Sequence, residues 1–169
     1  MTFSYQCSEC RRSFELKPTL MLCASCSANQ KPDEPLRGIL EVRFTGTLSI
    51  QSDTLDFLPV EKRYFPPIPV GNTPLWEPLR LRKRLNLPNL FIKDDTLNPT
   101  GSLKDRASFL VAAFARKMRI ENIVVASTGN AASSMAGIGA AAGIAVTIFV
   151  PKTIPQAKLI QSLQYGAKV

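Results

Sequence analysis

The stretch Asn98-Pro99-Thr100-Gly101-Ser102-Leu103-Lys104-Asp105-Arg106-Ala107-Ser108 decides how this chain is read. A Pro-Thr-Gly turn leads into Ser102-Leu103-Lys104-Asp105. That is the S-x-x-D form in which the Ser hydroxyl accepts from the backbone N–H of Asp105 and the carboxylate reaches back. Beyond it, Leu103, Ala107, Leu110, Val111, Phe114 and Met118 recur at helical spacing on one face. The spacing predicts a helix from about Leu103 to Arg119. Arg116, Lys117 and Arg119 close it, and cations suit the negative end of a helix dipole. Lys104 does not follow that logic, because it stands in the first turn, where the helix end is effectively positive. An amine so placed serves imine chemistry. A solvated Lys104, with Asp105 offsetting the local field, is the plain alternative.

Working outward toward the C-terminus, Ile123-Val124-Val125-Ala126 is a β-branched run and Ser127-Thr128-Gly129-Asn130 is turn chemistry. Ala131 to Ala142 is a small-residue helix that Gly143 can cap, and Ala145 to Val150 is strand-like again. No charged residue falls between Ile123 and Val150, a length able to span a bilayer. The strand–turn–helix–strand punctuation argues instead for a buried βαβ unit with parallel strands and no membrane partner. Gly137 and Gly139 lie inside the helix, so they read as close helix–sheet packing and not as a dinucleotide loop. Pro155 suits a first helical position, Gly166 a C-cap, and Ala167-Lys168-Val169 the opening of another strand. Toward the N-terminus, Leu79 to Leu87 reads as a basic helix and Leu90 to Lys93 as a strand ending at Asp94-Asp95. This alternation predicts an α/β fold with a mostly parallel sheet. We expect the chain to be the N-terminal portion of a longer protein, with an incomplete sheet that exposes apolar edges.

All four cysteines lie in the first 40 residues, as C-x2-C, twelve residues, C-x2-C: Cys7, Cys10, Cys23 and Cys26. Two such knuckles can wrap one tetrahedral ion, with zinc favoured and iron admissible, as a closed structural site. Two disulfides are the alternative reading, which a reducing compartment disfavours. The expected organisation is a zinc-ribbon-like module over residues 1–40, a Pro-rich connector over 41–69, and part of a larger α/β domain over 70–169.

The chain carries a formal charge of +8 with 45% hydrophobic residues, the composition of a globular chain. The basic residues are scattered, densest at Arg80 to Arg84, which favours solvated faces over a nucleic-acid stripe. A zinc-ribbon module binding nucleic acid is nevertheless the rival from another class. It predicts salt-sensitive polyanion binding. There is no His, which excludes His-based acid–base catalysis, the Ser-His-Asp triad and every His-containing metal site. The N-terminus has no basic region followed by an apolar run, so a cytoplasmic location is expected.

Together, Lys93-Asp94-Asp95 and Asn98 to Arg106 resemble the cofactor-lysine segment of pyridoxal-phosphate enzymes of the tryptophan synthase β-like family (PLP fold type II). Gly71-Asn72-Thr73-Pro74-Leu75 resembles that family's opening motif, and Ser127 to Ala132 its substrate-carboxylate loop. Three motifs in the family's order are far more specific than one. The nearest resemblance is to threonine synthase-like members, some of which also carry a four-cysteine knuckle. The resemblance implies that Lys104 binds pyridoxal phosphate through its amine and then shuttles protons. It implies that Asn130 hydrogen-bonds the cofactor's ring hydroxyl. Ser127, Thr128 and Gly129, with Asn130, would hold the carboxylate of a small amino-acid substrate. That last role has independent support, since a strand-to-helix turn is a ready anion site. Asp105 and Arg106 read as capping and scaffold residues. Leu103 departs from the family, which usually has Phe beside the lysine, and should alter packing more than chemistry. The implied reaction converts O-phosphohomoserine and water into threonine and phosphate, with a homodimer expected at full length. A threonine or serine dehydratase, or a cysteate synthase-like enzyme, is the competing activity. The family's glycine-rich phosphate loop does not follow Asn130 in this sequence.

Overall fold

A computed structural model describes residues 1–47, 49, 51, 53–156 and 159–169. The chain divides into two compact units, Met1–Glu61 and Lys62–Val169.

The first unit is built on a three-stranded antiparallel sheet. Strand β1 (Thr2–Cys7) lies between β2 (Ser13–Glu15) and β3 (Leu40–Thr45). Tyr5 stands opposite Phe14 on one side and Val42 on the other. A single helical turn, α1 (Ala24–Ser27), follows Cys23 directly. The unit therefore runs past residue 40, because β3 closes the sheet against a strand at the chain's start. Within the segment expected as plain connector, Asp53 caps a 3-10 turn at Thr54–Phe57, and it forms a reciprocal capping box with Asp56. Residues 48, 50 and 52 of that segment lie outside the described residues.

The second unit opens with a small hairpin-like pairing. Strand β4 (Leu75–Trp76) runs antiparallel to β5 (Ile92–Lys93), with Leu75 opposite Lys93. Between them lies the basic helix α2 (Leu79–Leu85). It stops two residues short of the expected Leu87 because Asn86 adopts the left-handed conformation, φ 54°, and ends the turn. Helix α3 (Lys104–Lys117) comes next, then β6 (Asn122–Ala126), α4 (Asn130–Ala142) and β7 (Ala145–Phe149). Strands β6 and β7 are parallel, with Ile123 beside Val146 and Val125 beside Ile148. Lys168 adds an isolated parallel bridge to Thr147. Gly143, at φ 69°, caps α4 as its position predicts. The chain turns after Pro151, with the Ile154 N–H donating to the Pro151 carbonyl at 3.0 Å. Helix α5 accordingly starts at Ile160 and not at Pro155, and runs to Gln164. Residues 157 and 158 of the expected helix lie outside the described residues.

The core of this unit gathers Phe109, Ala112 and Ala113 of α3 with Met135, Ala136 and Ile138 of α4 and Val146 and Ile148 of β7. Phe65 joins it, its ring 4.8 Å from that of Phe109. Helix α4 comes close to the sheet because its residues are small. A Cβ added to Gly139 would stand 2.4 Å from the Val146 side chain. Gly139→Ala should therefore destabilise the unit by about 1–3 kcal/mol, overpacking outweighing the helix propensity that Ala gains. Chemical denaturation at constant m-value checks this, and a stabilised variant would refute the close-approach reading. The sheet departs from the expected two-sided burial. Helix α4 covers the face of Val146 and Ile148, whereas Val124 and Phe149 on the other face are 59% and 64% exposed.

A candidate cofactor lysine and a four-cysteine cluster

Lys104 is the first residue of α3 and is exposed. The chain reaches it through a tight turn, in which Gly101 takes φ 77° and donates its N–H to the Asn98 carbonyl at 2.8 Å. The cap differs in detail from the expected form. The Ser102 hydroxyl accepts from the N–H of Lys104, at 3.2 Å, and the N–H of Asp105 goes to the Ser102 carbonyl. The Asp105 carboxylate does not reach back to Ser102. It is fully buried and accepts from the Thr100 N–H at 2.7 Å and the Thr100 hydroxyl at 2.5 Å. Burying a carboxylate is costly, and two charge-assisted hydrogen bonds offset that cost. They also tie the lead-in turn to the first turn of the helix. Gln161 of α5 secures the same turn from outside, donating to the Thr100 carbonyl at 3.1 Å. Leu103 is 59% exposed, so its departure from the family's Phe disturbs no core packing.

Ser127 to Asn130 form the turn from β6 into α4. The N–H of Gly129 donates to the Ser127 hydroxyl at 3.3 Å. The first turn of α4 holds no acidic residue, and no side chain caps it. A Cβ at Gly129 would meet nothing within 4 Å, so the turn opens onto free space. Thr128 and Asn130 are exposed. Helices α3 and α4 are joined at Ser108 and Ser134, where the Ser134 hydroxyl donates to that of Ser108 at 2.7 Å in a buried contact. Ser108 lies four residues beyond Lys104, and Ser134 four beyond Asn130. Among the described residues no hydrogen bond links Lys104 to the turn. Two surface depressions, one lined by α4, β7 and Tyr165 to Ala167 and one by Leu87 to Leu90, include neither.

The other motifs meet in a polar node that the spacing did not reveal. Asp95 accepts from Arg106 through both carboxylate oxygens, from Nε at 2.8 Å and from Nη2 at 2.7 Å. It also accepts from the Thr73 hydroxyl at 2.7 Å. Asn98 accepts from the Gly71 N–H at 3.0 Å and donates to the Asp95 carbonyl at 3.1 Å. The Lys93 ammonium donates to the Thr73 carbonyl. The hydrogen bonds from Arg106, then that from Thr73, hold the Asp95 carboxyl far below the usual carboxylate range. Gly71 to Thr73, Asp95, Asn98 and Arg106 are thus one scaffold. The signal for it was a cluster of polar residues beside two turns.

In the first unit, the sulfurs of Cys7, Cys10, Cys23 and Cys26 all lie within 4.8 Å of one another. Cys7 and Cys26 are 3.8 Å apart, as are Cys10 and Cys23, and all four are free thiols. Cys7 and Cys23 are fully buried. The shell around them is specific. Glu9, inside the first knuckle, accepts from the Gly38 N–H at 2.7 Å and from Arg37 at 2.9 Å. Those contacts, led by the one to Arg37, lower its carboxyl from the ordinary value. Gly38 takes φ 70°, and a Cβ there would stand 2.9 Å from the Cys23 carbonyl. Burial raises the Cys7 thiol, but hydrogen bonds from the Cys10 and Glu9 backbone and from Cys10 and Cys26 outweigh it, bringing it down to about 7. Its partner Cys26, hydrogen-bonded to Cys10 and then burdened by burial, is pushed up to about 12.

Comparison with known proteins adds three findings. The profile of the family described as pyridoxal-phosphate dependent enzyme matches residues 68–169. The threonine synthase of Methanosarcina acetivorans is 29% identical over 182 residues, covering 99% of this chain and 42% of that protein. That of Methanocaldococcus jannaschii is 35% identical over 117 residues, covering 68% and 29%. The chain thus spans less than half the length of these relatives. Among solved structures, the processed form of threonine deaminase isoform 2 from Solanum lycopersicum aligns with TM-score 0.52 at 28% identity, over 57% of this chain and 27% of that one. No helix among the described residues is long and apolar enough to cross a membrane.

Proposed function

Because the chain belongs to the pyridoxal-phosphate-dependent enzyme family, we propose that it supplies the cofactor-binding lysine and the substrate-carboxylate turn of a threonine synthase-like lyase. The residues suit the cofactor. Lys104 offers an exposed primary amine on a turn tied down by Asp105. The turn at Gly129 is open, with no carboxylate in the helix turn behind it to repel an anion. Pyridoxal phosphate, when bound, supplies an electron sink for the substrate's carbanion. This chain's part is to bind and orient. The Lys104 amine holds the cofactor covalently and afterwards carries a proton at Nζ. The Asn130 amide donates to the cofactor's ring hydroxyl. The N–H groups of Ser127, Thr128 and Gly129 take the substrate carboxylate, Gly129 exchanging its long bond to Ser127 for a charged acceptor.

The four cysteines suit a closed structural zinc site. Their sulfurs are gathered tightly enough for one ion, and soft thiolates favour zinc. A cytoplasmic setting, in which thiols stay reduced, belongs to the same reading, as does a homodimer of the whole enzyme.

The observation that carries the reaction is the extent of the threonine synthase match. It runs over 99% of the chain, so it takes in both the cysteine unit and the lysine segment. The whole protein is expected to release inorganic phosphate from O-phosphohomoserine and to form threonine in equal amount. Production of ammonia and 2-oxobutanoate from threonine, with no phosphate release, would assign it to the dehydratase branch instead.

A further inference from the structure

We propose that Asp95 is a positioning residue for the Lys104 amine, a role that rests on the reading of Lys104 as the cofactor-binding lysine. Three links hold the start of α3. The Asp105–Thr100 bonds are local and tie the helix only to its own lead-in turn. The Ser108–Ser134 bond joins α3 to α4. The third link, Arg106 to Asp95 with a further hydrogen bond from Arg106 Nη2 to the Thr73 hydroxyl at 3.2 Å, joins α3 to the turn just after β5 and to the residues before β4. Arg106 lies two residues beyond Lys104, which in a helix is about 200° around the axis. Holding Arg106 therefore sets the rotation of that turn and directs Lys104 to the opposite side, where it is exposed.

The link is built to fix direction as well as charge. A guanidinium meeting both carboxylate oxygens has one planar arrangement, unlike the point contact a lysine makes. Asp95 is itself fastened. The buried Thr73 hydroxyl donates to it, and the Asn98 amide holds its carbonyl. Space for the fork is reserved at Gly71, where a Cβ would stand 3.2 Å from Arg106 Nη1 and φ is 83°. The geometry thus assigns to Asp95 the orientation of a side chain it does not touch.

The test compares two labels on the whole protein. Pyridoxal phosphate followed by borohydride reports a correctly placed amine, and acetylation by a small anhydride reports exposure alone. Peptide mapping reads each label at Lys104 relative to Lys93 and Lys117. In Asp95→Asn, pyridoxal phosphate labelling of Lys104 is expected to fall about tenfold while its acetylation stays within about twofold, as misplacement and not concealment requires. Thr73→Val removes the hydroxyl that props Asp95 and also accepts from Arg106 Nη2 at 3.2 Å, but it keeps the ion pair, so it should fold even if Asp95→Asn does not. A smaller loss of the first label alone, about threefold, is expected there. Unchanged pyridoxal phosphate labelling in both variants overturns the proposal. So does a parallel loss of both labels, which is what a merely structural role produces. A parent protein that takes no label at Lys104 defeats the reading of Lys104, and this proposal with it.

Discussion

Lys104→Ala is expected to abolish borohydride-trapped incorporation of pyridoxal phosphate into the peptide that contains residues 98–106. The effect should be close to complete, because no other group in that turn offers a primary amine. Turnover by the whole protein should fall by at least about 10²–10⁴-fold, the range a single positioned proton-transfer group contributes. The fold should survive. Lys104 is exposed at the start of α3, its side chain supports no core contact, and Ala is the best helix former. Far-UV circular dichroism and the unfolding midpoint should match those of the parent. Lys83→Ala, on the exposed basic helix α2, is the control and should leave incorporation unchanged. Activity of the whole protein that survives in Lys104→Ala would remove Lys104 from the chemistry.

Metal removal should have the second large effect, confined to the first unit. A unit of this size rarely draws more than a few kcal/mol from its apolar core and gains much from a staple. Its most buried side chains include Cys7 and Cys23 themselves, both at 0% exposure. The strands β1 and β3 carry mostly exposed or half-buried residues. A strong chelator under reducing conditions should therefore abolish the cooperative unfolding of Met1–Glu61. Cys23→Ser should do the same, since structural zinc contributes about 10 kcal/mol or more to small folds of this kind. The sign with pH follows from competition for sulfur. Protons and metal seek the same thiolates, so the metal's contribution is complete at high pH and is lost as pH falls. An ordinary thiol is largely protonated at neutral pH, so binding there must displace protons. Titration calorimetry in buffers of different ionisation enthalpy should record the release. A reduced protein that retains neither zinc nor iron, or a unit that stays folded after chelation, would sink the site.

Much of the fold was legible because it is local. The extent of α3, the β-branched runs of β6 and β7, and Gly143 after α4 each declare themselves within a few residues. The inward face of α3 did not: Leu103, Ala107, Val111 and Met118 of the expected apolar face are exposed, and Phe109, Ala112 and Ala113 are buried in their place. The start of α3 at Lys104 and its end at Lys117 fall within two residues of the expected limits. The misreadings were not local. The end of the first module was misplaced because β3 pairs with a strand near the chain's start, and nothing in residues 40–45 announces a partner so distant. The partner of Asp105 was misassigned because S-x-x-D admits a reciprocal cap, whereas the Gly101 turn brings Thr100 back onto the carboxylate.

The candidate sites divide the same way. Sequence by itself determined the residue types and their spacing: two C-x2-C pairs, an amine in the first turn of a helix, and a small-residue turn between a strand and a helix. Those follow from backbone preferences and side-chain chemistry, which act over a few residues. Only the tertiary structure decided that four sulfurs converge within 4.8 Å, that Ser108 meets Ser134, and that Asp95 takes the guanidinium of Arg106 with Thr73 behind it. These contacts join residues up to 26 positions apart. Their geometry is set by how helices and strands pack, and no local period encodes it.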